Sequence, residues 1–125
     1  MVFQEIVQEF SQRVGMGRGI QTDASGPVTF ELRELGKLTL ETSADERELL
    51  ITLAEPLPPY DTGRLLAALE MCYPDRVRPF PLACGVYKES LLLVSRRKID
   101  GSSAAEVENQ VMFLIDCVKT LNAQG

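Results

Sequence analysis

Between residues 28 and 54 the chain alternates apolar and polar side chains three times, with only short links between the runs. Val28, Phe30 and Leu32 alternate with Thr29, Glu31 and Arg33. Leu38 and Leu40 alternate with Thr39 and Glu41, and Leu49, Ile51 and Leu53 share one parity of the third run, 48–54. A period of two puts every second side chain on one face of a pleated strand, so each run is a strand with one face buried. The links at 34–37 and 43–47 are too short for a parallel return, which needs a crossover of about a dozen residues or more. The three strands are therefore an antiparallel meander, and its apolar face demands a second layer over it.

That layer is written on either side of the meander. Phe3, Ile6, Val7, Phe10 and Val14 fall on one narrow stripe at about 100° per residue, the mark of an amphipathic helix. Gly15, Gly17 and Gly19 break it, and residues 21–27 read as a polar loop. After the third strand, Pro56, Pro58 and Pro59 argue against central pairing over 55–60. Asp61 or Thr62 can cap a short helix over 64–73, stopped by Pro74. A polar loop over 75–79 leads to two more strands, 81–87 and 90–96, joined at Lys88-Glu89. The last of these is apolar on both faces, with Leu91 and Leu93 on one and Leu92 and Val94 on the other, which makes it central or twice covered. Asp100-Gly101 turns the chain, and Ser103 with Glu106 forms a capping box. It opens a long helix ending near Leu121, with a core stripe of Val107, Val111, Leu114, Ile115 and Val118 and with Phe113 on the far side.

The predicted order is α-β-β-β-α-β-β-α. It defines an α+β fold, an antiparallel twisted sheet of about five strands with three helices, in one domain over 1–125.

Composition removes most chemistry. There is no His, which excludes imidazole-based triads, His metal ligands and a His pH switch. Thirteen basic against eighteen acidic residues leave a net charge of −5, a poor match to nucleic-acid phosphates. Cys72, Cys84 and Cys117 are widely spaced and odd in number, which reads as small apolar side chains in a reducing cytoplasm rather than as disulfides or a zinc site. No apolar run exceeds five residues (65–69 and 111–115), far short of the ~20 of a membrane span, and residues 1–14 lack a signal-peptide pattern, so the expected compartment is the cytoplasm. Gly15-Met16-Gly17-Arg18-Gly19 follows a helix rather than a strand and reads as a turn, not a phosphate loop. Arg96-Arg97-Lys98 has no interleaved aromatics and reads as a solvated strand end. Asp45, Glu46 and Glu48 show no oxygen-ligand pattern and read as a wet turn. No residue stands out as a nucleophile or base. The expectation is no enzyme, no cofactor and no metal.

Apolar side chains without a place in one core remain. Leu65, Leu66, Ala67, Ala68, Leu69, Met71 and Cys72 go most of the way around the second helix, where only Arg64 and Glu70 are charged. One side can meet the sheet; the other needs a second protein. Leu50, Leu92, Val94 and Phe113 likewise point to protein–protein surface.

Three stretches carry a family likeness: VTFELRELGKLTLE (28–41), PLACGVYKESLLLVS (81–95) and the amphipathic helix over 104–121. With the element order, size and negative charge, they resemble the class I type III secretion chaperones, nearest the SycN type, from the first helix to the last. The prolines at 56, 58 and 59 depart from the pattern and stiffen the approach to the second helix. The resemblance implies a cytoplasmic dimer, of two copies or with a different small chaperone, built on the second helix and adjoining sheet through Leu65, Leu66, Ala68, Leu69, Met71 and Cys72. It implies that Leu50, Leu92, Val94 and Phe113 meet the N-terminal region of a secreted substrate, an effector or gatekeeper, held extended and export-competent. A regulatory adaptor on the same scaffold, sequestering a secretion regulator, fits the residues equally well.

Overall fold

The computed structural model describes residues 3–14, 20–21, 26–59, 61–73 and 78–124. Three helices, α1 (Phe3–Val14), α2 (Thr62–Met71) and α3 (Ala104–Gln124), accompany six strands. The strands are β1 (Ile20–Gln21), β2 (Val28–Leu32), β3 (Gly36–Thr42), β4 (Glu48–Pro56), β5 (Ala83–Tyr87) and β6 (Ser90–Lys98). They form one antiparallel sheet in the order β1-β2-β3-β4-β6-β5.

The expected α+β order is present, with two additions. β1 adds a two-residue edge, Ile20 opposite Thr29 and Gln21 opposite Val28, where the sequence reads as loop. Two residues hold too little alternation to betray a strand. β4 runs on through Glu55 to Pro56, which pairs with Ser90. Pairing of β4 with β3 ends at Lys37–Ala54, so by Pro56 the strand is flanked on one side only, where a residue without an N–H is tolerated. The glycine-rich turn of residues 15–19 lies outside the described residues.

One parity of every central strand is buried. Leu38, Leu40, Leu49, Ile51, Leu53, Leu91 and Leu93 are wholly inaccessible. They pack with Phe3, Ile6 and Phe10 of α1 and with Val107, Val111, Leu114, Val118 and Leu121 of α3. Phe10 meets Phe30 of β2 edge-on, at 5.7 Å between ring centres. Both long helices therefore lie on the same face of the sheet.

A polar seam fixes α3 over β6. Gln110 is fully buried, and its Nε2 donates to Ser95 Oγ (2.6 Å) and to the Arg96 carbonyl (3.1 Å). Arg97 donates to Gln110 Oε1 (3.1 Å), Ser102 Oγ (2.7 Å) and Glu106 Oε2 (2.7 Å). Arg97 is thus turned inward, contrary to the solvated strand end expected for the cluster, while Arg96 and Lys98 are exposed. The expected capping box is formed, with Glu106 N–H donating to Ser103 Oγ (3.2 Å) and Ser103 Oγ donating to Glu106 Oε1 (3.1 Å).

Two outcomes are expected from these contacts. Gly36 has φ +119°, and a Cβ there would lie 2.0 Å from the Ala54 carbonyl oxygen. Gly36→Ala should cost about 2–3 kcal/mol, read from the urea midpoint; an unchanged midpoint would refute the clash. The Ser103 hydroxyl, then the Arg97 charge, hold Glu106 below its ordinary value of 4.5. A lowered folded-state value means stability present above the ordinary value and lost as pH falls through the lowered one. The stability gap between the unmodified chain and Glu106→Gln should be present at neutral pH and close on acidification below 4.5.

Candidate protein-contact surfaces

The chain's unassigned apolar groups gather on two separate surfaces. The first is the outward side of α2. Asp61 caps the helix, accepting from the Arg64 N–H at 3.2 Å. Arg78 closes its other end, donating to the carbonyls of Tyr73 (2.8 Å) and Met71 (3.3 Å), where a cation also suits the helix dipole. Inside these caps the side chains divide into two stripes. Leu65, Ala68 and Cys72 follow i, i+3, i+7 spacing toward the core, and Ala68 is the one fully buried residue of the helix. Leu66 and Leu69 face outward and are 61% and 48% exposed, and Tyr73, just past the helix end, is exposed beside them at 60%.

Of the six residues expected at a dimer interface, Leu66 and Leu69 therefore offer real surface. Leu65, Met71 and Cys72 are half-buried against the core. Ala68 is corrected: it is enclosed within its own chain and has no surface to offer. Tyr73, exposed just past the end of α2, is not among the expected residues. α2 packs beside β5, the strand that ends the sheet, and there Val86 and Tyr87 are also exposed. Lys88 Nζ lies 5.4 Å from the centre of the Tyr87 ring.

The second surface is the sheet face turned away from α1 and α3. Register puts Thr29, Thr39, Thr52, Val94 and Ala83 in one row across five strands. Ala54, Leu92 and Gly85 form the neighbouring row over β4, β6 and β5, and Leu50 lies opposite Arg96. Leu92 and Val94 thus share an uncharged centre, while Leu50 lies at its margin between Glu41 and Arg96; all three are half-buried by their neighbours in the sheet. Phe113 does not join them. It lies on α3, across the sheet, tilted against Phe80 with ring centres 5.5 Å apart. There it borders a groove of about 220 Å³ between α2 and α3, with Met71, Arg78, Leu82 and Cys117.

The same region gathers the three free cysteines, which the sequence separates widely. Burial, then the adjacent Cys84 thiol, push Cys72 up to about 12. Burial also raises Cys117. Thiols raised in this way stay protonated at neutral pH and are poor nucleophiles. Among the described residues no group of three or more Cys, Asp or Glu is arranged to hold a metal. None of the described helices is long and apolar enough to cross a membrane.

No protein-family model and no curated protein sequence matches this chain. Solved structures do match its fold. The Yersinia pestis type III secretion chaperone SycH, solved with a fragment of YscM2, is similar at TM-score 0.69 and 18% identity, over 94% of this chain and 97% of that one. The chain in the HopA1–SchA chaperone–effector complex is similar at 0.67 and 14%, over 95% and 91%. YbjN of E. coli, a putative transcription regulator, is similar at 0.65 and 9%, over 97% and 92%. The chain therefore has the fold of the class I type III secretion chaperones, a fold also found in a protein with a different description.

Exposure separates two neighbours on α2. Leu66→Asp should retain the circular dichroism of the unmodified chain, because its side chain meets water. Ala68→Asp should lose cooperative folding, because an unpaired carboxylate in that position is buried. Equal behaviour of the two variants would refute the division into stripes.

Proposed function

We propose that this chain is a cytoplasmic export chaperone of the class I type III kind, half of a dimer joined through the outward side of α2. The observation that carries the proposal is the pairing of two unfilled apolar surfaces: Leu66, Leu69 and Tyr73 on α2, and Leu50, Leu92 and Val94 on the uncovered sheet face. The shared fold supports it, since two of the structures it matches are chaperones solved with a bound protein.

In this reading the sheet face receives an N-terminal segment of a secreted effector or gatekeeper. An extended segment places alternate side chains on a pleated surface and can add main-chain hydrogen bonds at a strand edge. The segment orders as it binds, and that cost keeps the complex releasable. The chaperone performs no chemistry and holds no cofactor. Its SycN-like character makes a different small chaperone as suitable a partner as a second copy. The same two surfaces also suit a second reading, a regulatory adaptor on the same scaffold that sequesters a secretion regulator.

Leu92→Asp and Val94→Asp place charge at the centre of the sheet face without touching α2. Each should leave the assembly mass unchanged and abolish capture of a co-expressed N-terminal segment from the secreted partner. Undiminished capture by both would remove the sheet face from the binding site. Deleting the gene should block export of the partner; unimpaired export would leave the adaptor reading in its place.

A further inference from the structure

α2 carries a basic residue where a helix least favours one. Arg64 lies in the first turn, close to the positive end of the helix dipole, and that turn has no acidic residue. Its side chain is only 17% exposed. Its own helix offers it one longer contact, to the cap residue Asp61; its closer contacts lie outside the helix.

The guanidinium reaches three elements. Nη2 donates to Glu55 Oε1, from a buried carboxylate at the end of β4, and to Asn122 Oδ1 in the last turn of α3, at 2.7 Å. Nη1 lies 3.9 Å from Oδ2 of Asp61, the cap of its own helix. Nε is buried without a hydrogen-bond partner among the described residues. A planar fork with several fixed donors spans such acceptors together, whereas an ammonium offers one point charge. Apolar packing holds α2 through Ala68, its one fully buried side chain, and the half-buried Leu65, Ala67 and Met71, contacts that do not by themselves fix its direction, while Leu66 and Leu69 face water.

We infer that Arg64 is the positioning residue that locks α2 to β4 and α3 in the pose that presents Leu66, Leu69 and Tyr73 to the partner chaperone. This rests on the reading of α2 as the dimer surface and adds the device that orients it. The lock lies behind the contact surface. It acts on assembly through the helix without touching the partner.

Arg64→Lys keeps the charge and loses the fork. Asn122→Ala removes one acceptor at an exposed position and leaves no buried charge unpaired. Amide hydrogen exchange on the assembled protein reads the lock directly. In Arg64→Lys the α2 amides should exchange about tenfold faster while β4 and β6 keep their protection, and the concentration at which half the chains are assembled should rise about tenfold. Asn122→Ala should move both quantities in the same direction by a smaller factor. If α2 exchange is unchanged in both variants, there is no lock. If it accelerates and assembly does not move, the proposed role is overturned, and Leu66→Asp identifies the failed step. A dimer intact in Leu66→Asp means that α2 is not the interface; a dimer broken by it means that the pose of α2 does not control assembly.

Discussion

The packing of α1 and α3 against one face of the sheet is the contact on which the remaining structure depends. It buries Leu38, Leu40, Leu49, Ile51, Leu53, Leu91 and Leu93 completely and uses both long helices of the chain. Among the described residues the remaining helix is α2, and it packs beside α3 and β5. Among the described residues Leu50, Leu92 and Val94 therefore share a face without a helical layer of their own, and α2 with the residue just past it leaves Leu66, Leu69 and Tyr73 in water. Both features follow from the same shortage of covering helix in a domain of this size. Exposed apolar groups that gather in patches, rather than scatter singly, mark places where a second chain fits.

Two arginines hold the helical layer to the sheet in matching ways. Arg97 on β6 binds Gln110 and Glu106 of α3, and Arg64 on α2 binds Glu55 of β4 and Asn122 of α3. Hydrophobic contact alone lets a helix slide or turn on a sheet, since it has no direction. Hydrogen-bonded charges do have direction, and leaving such a group unpaired in the interior is costly. The two seams thus fix α3 and α2 in place where apolar packing would not.

The fold was legible because its elements repeat their periods clearly. The alternation from Val28 to Ala54, the stripe of α1 and the capping box at Ser103 and Glu106 each state a local structure that the tertiary contacts then use. β1 was illegible because two residues carry no period. The extension of β4 to Pro56 depends on β3 having ended, a fact of register that no local pattern contains. The surfaces were legible in part. The wheel of α2 shows too much apolar area for one partner but not which stripe faces out, so it does not separate the enclosed Ala68 from the exposed Leu66 and Leu69. Neither Phe113 nor Leu92 fits the core that the sequence pattern defines, and only the topology separates the two sides of the sheet on which they lie. Arg97 reads as part of a solvated strand end, because its acceptors Glu106 and Gln110 lie on the following helix, and no local pattern shows that Arg64 reaches Glu55 and Asn122.

Light scattering on the purified chain tests most directly the claim that these surfaces are completed by another protein. With a second copy as partner, the unmodified chain should have about twice its own mass of 13.9 kDa, and Leu66→Asp should return it to the single-chain value. With a different small chaperone as partner, the co-purified pair should show the same halving. A soluble chain that stays at 13.9 kDa, alone and beside the proteins that co-purify with it, would contradict the claim, as would a Leu66→Asp variant of undiminished mass.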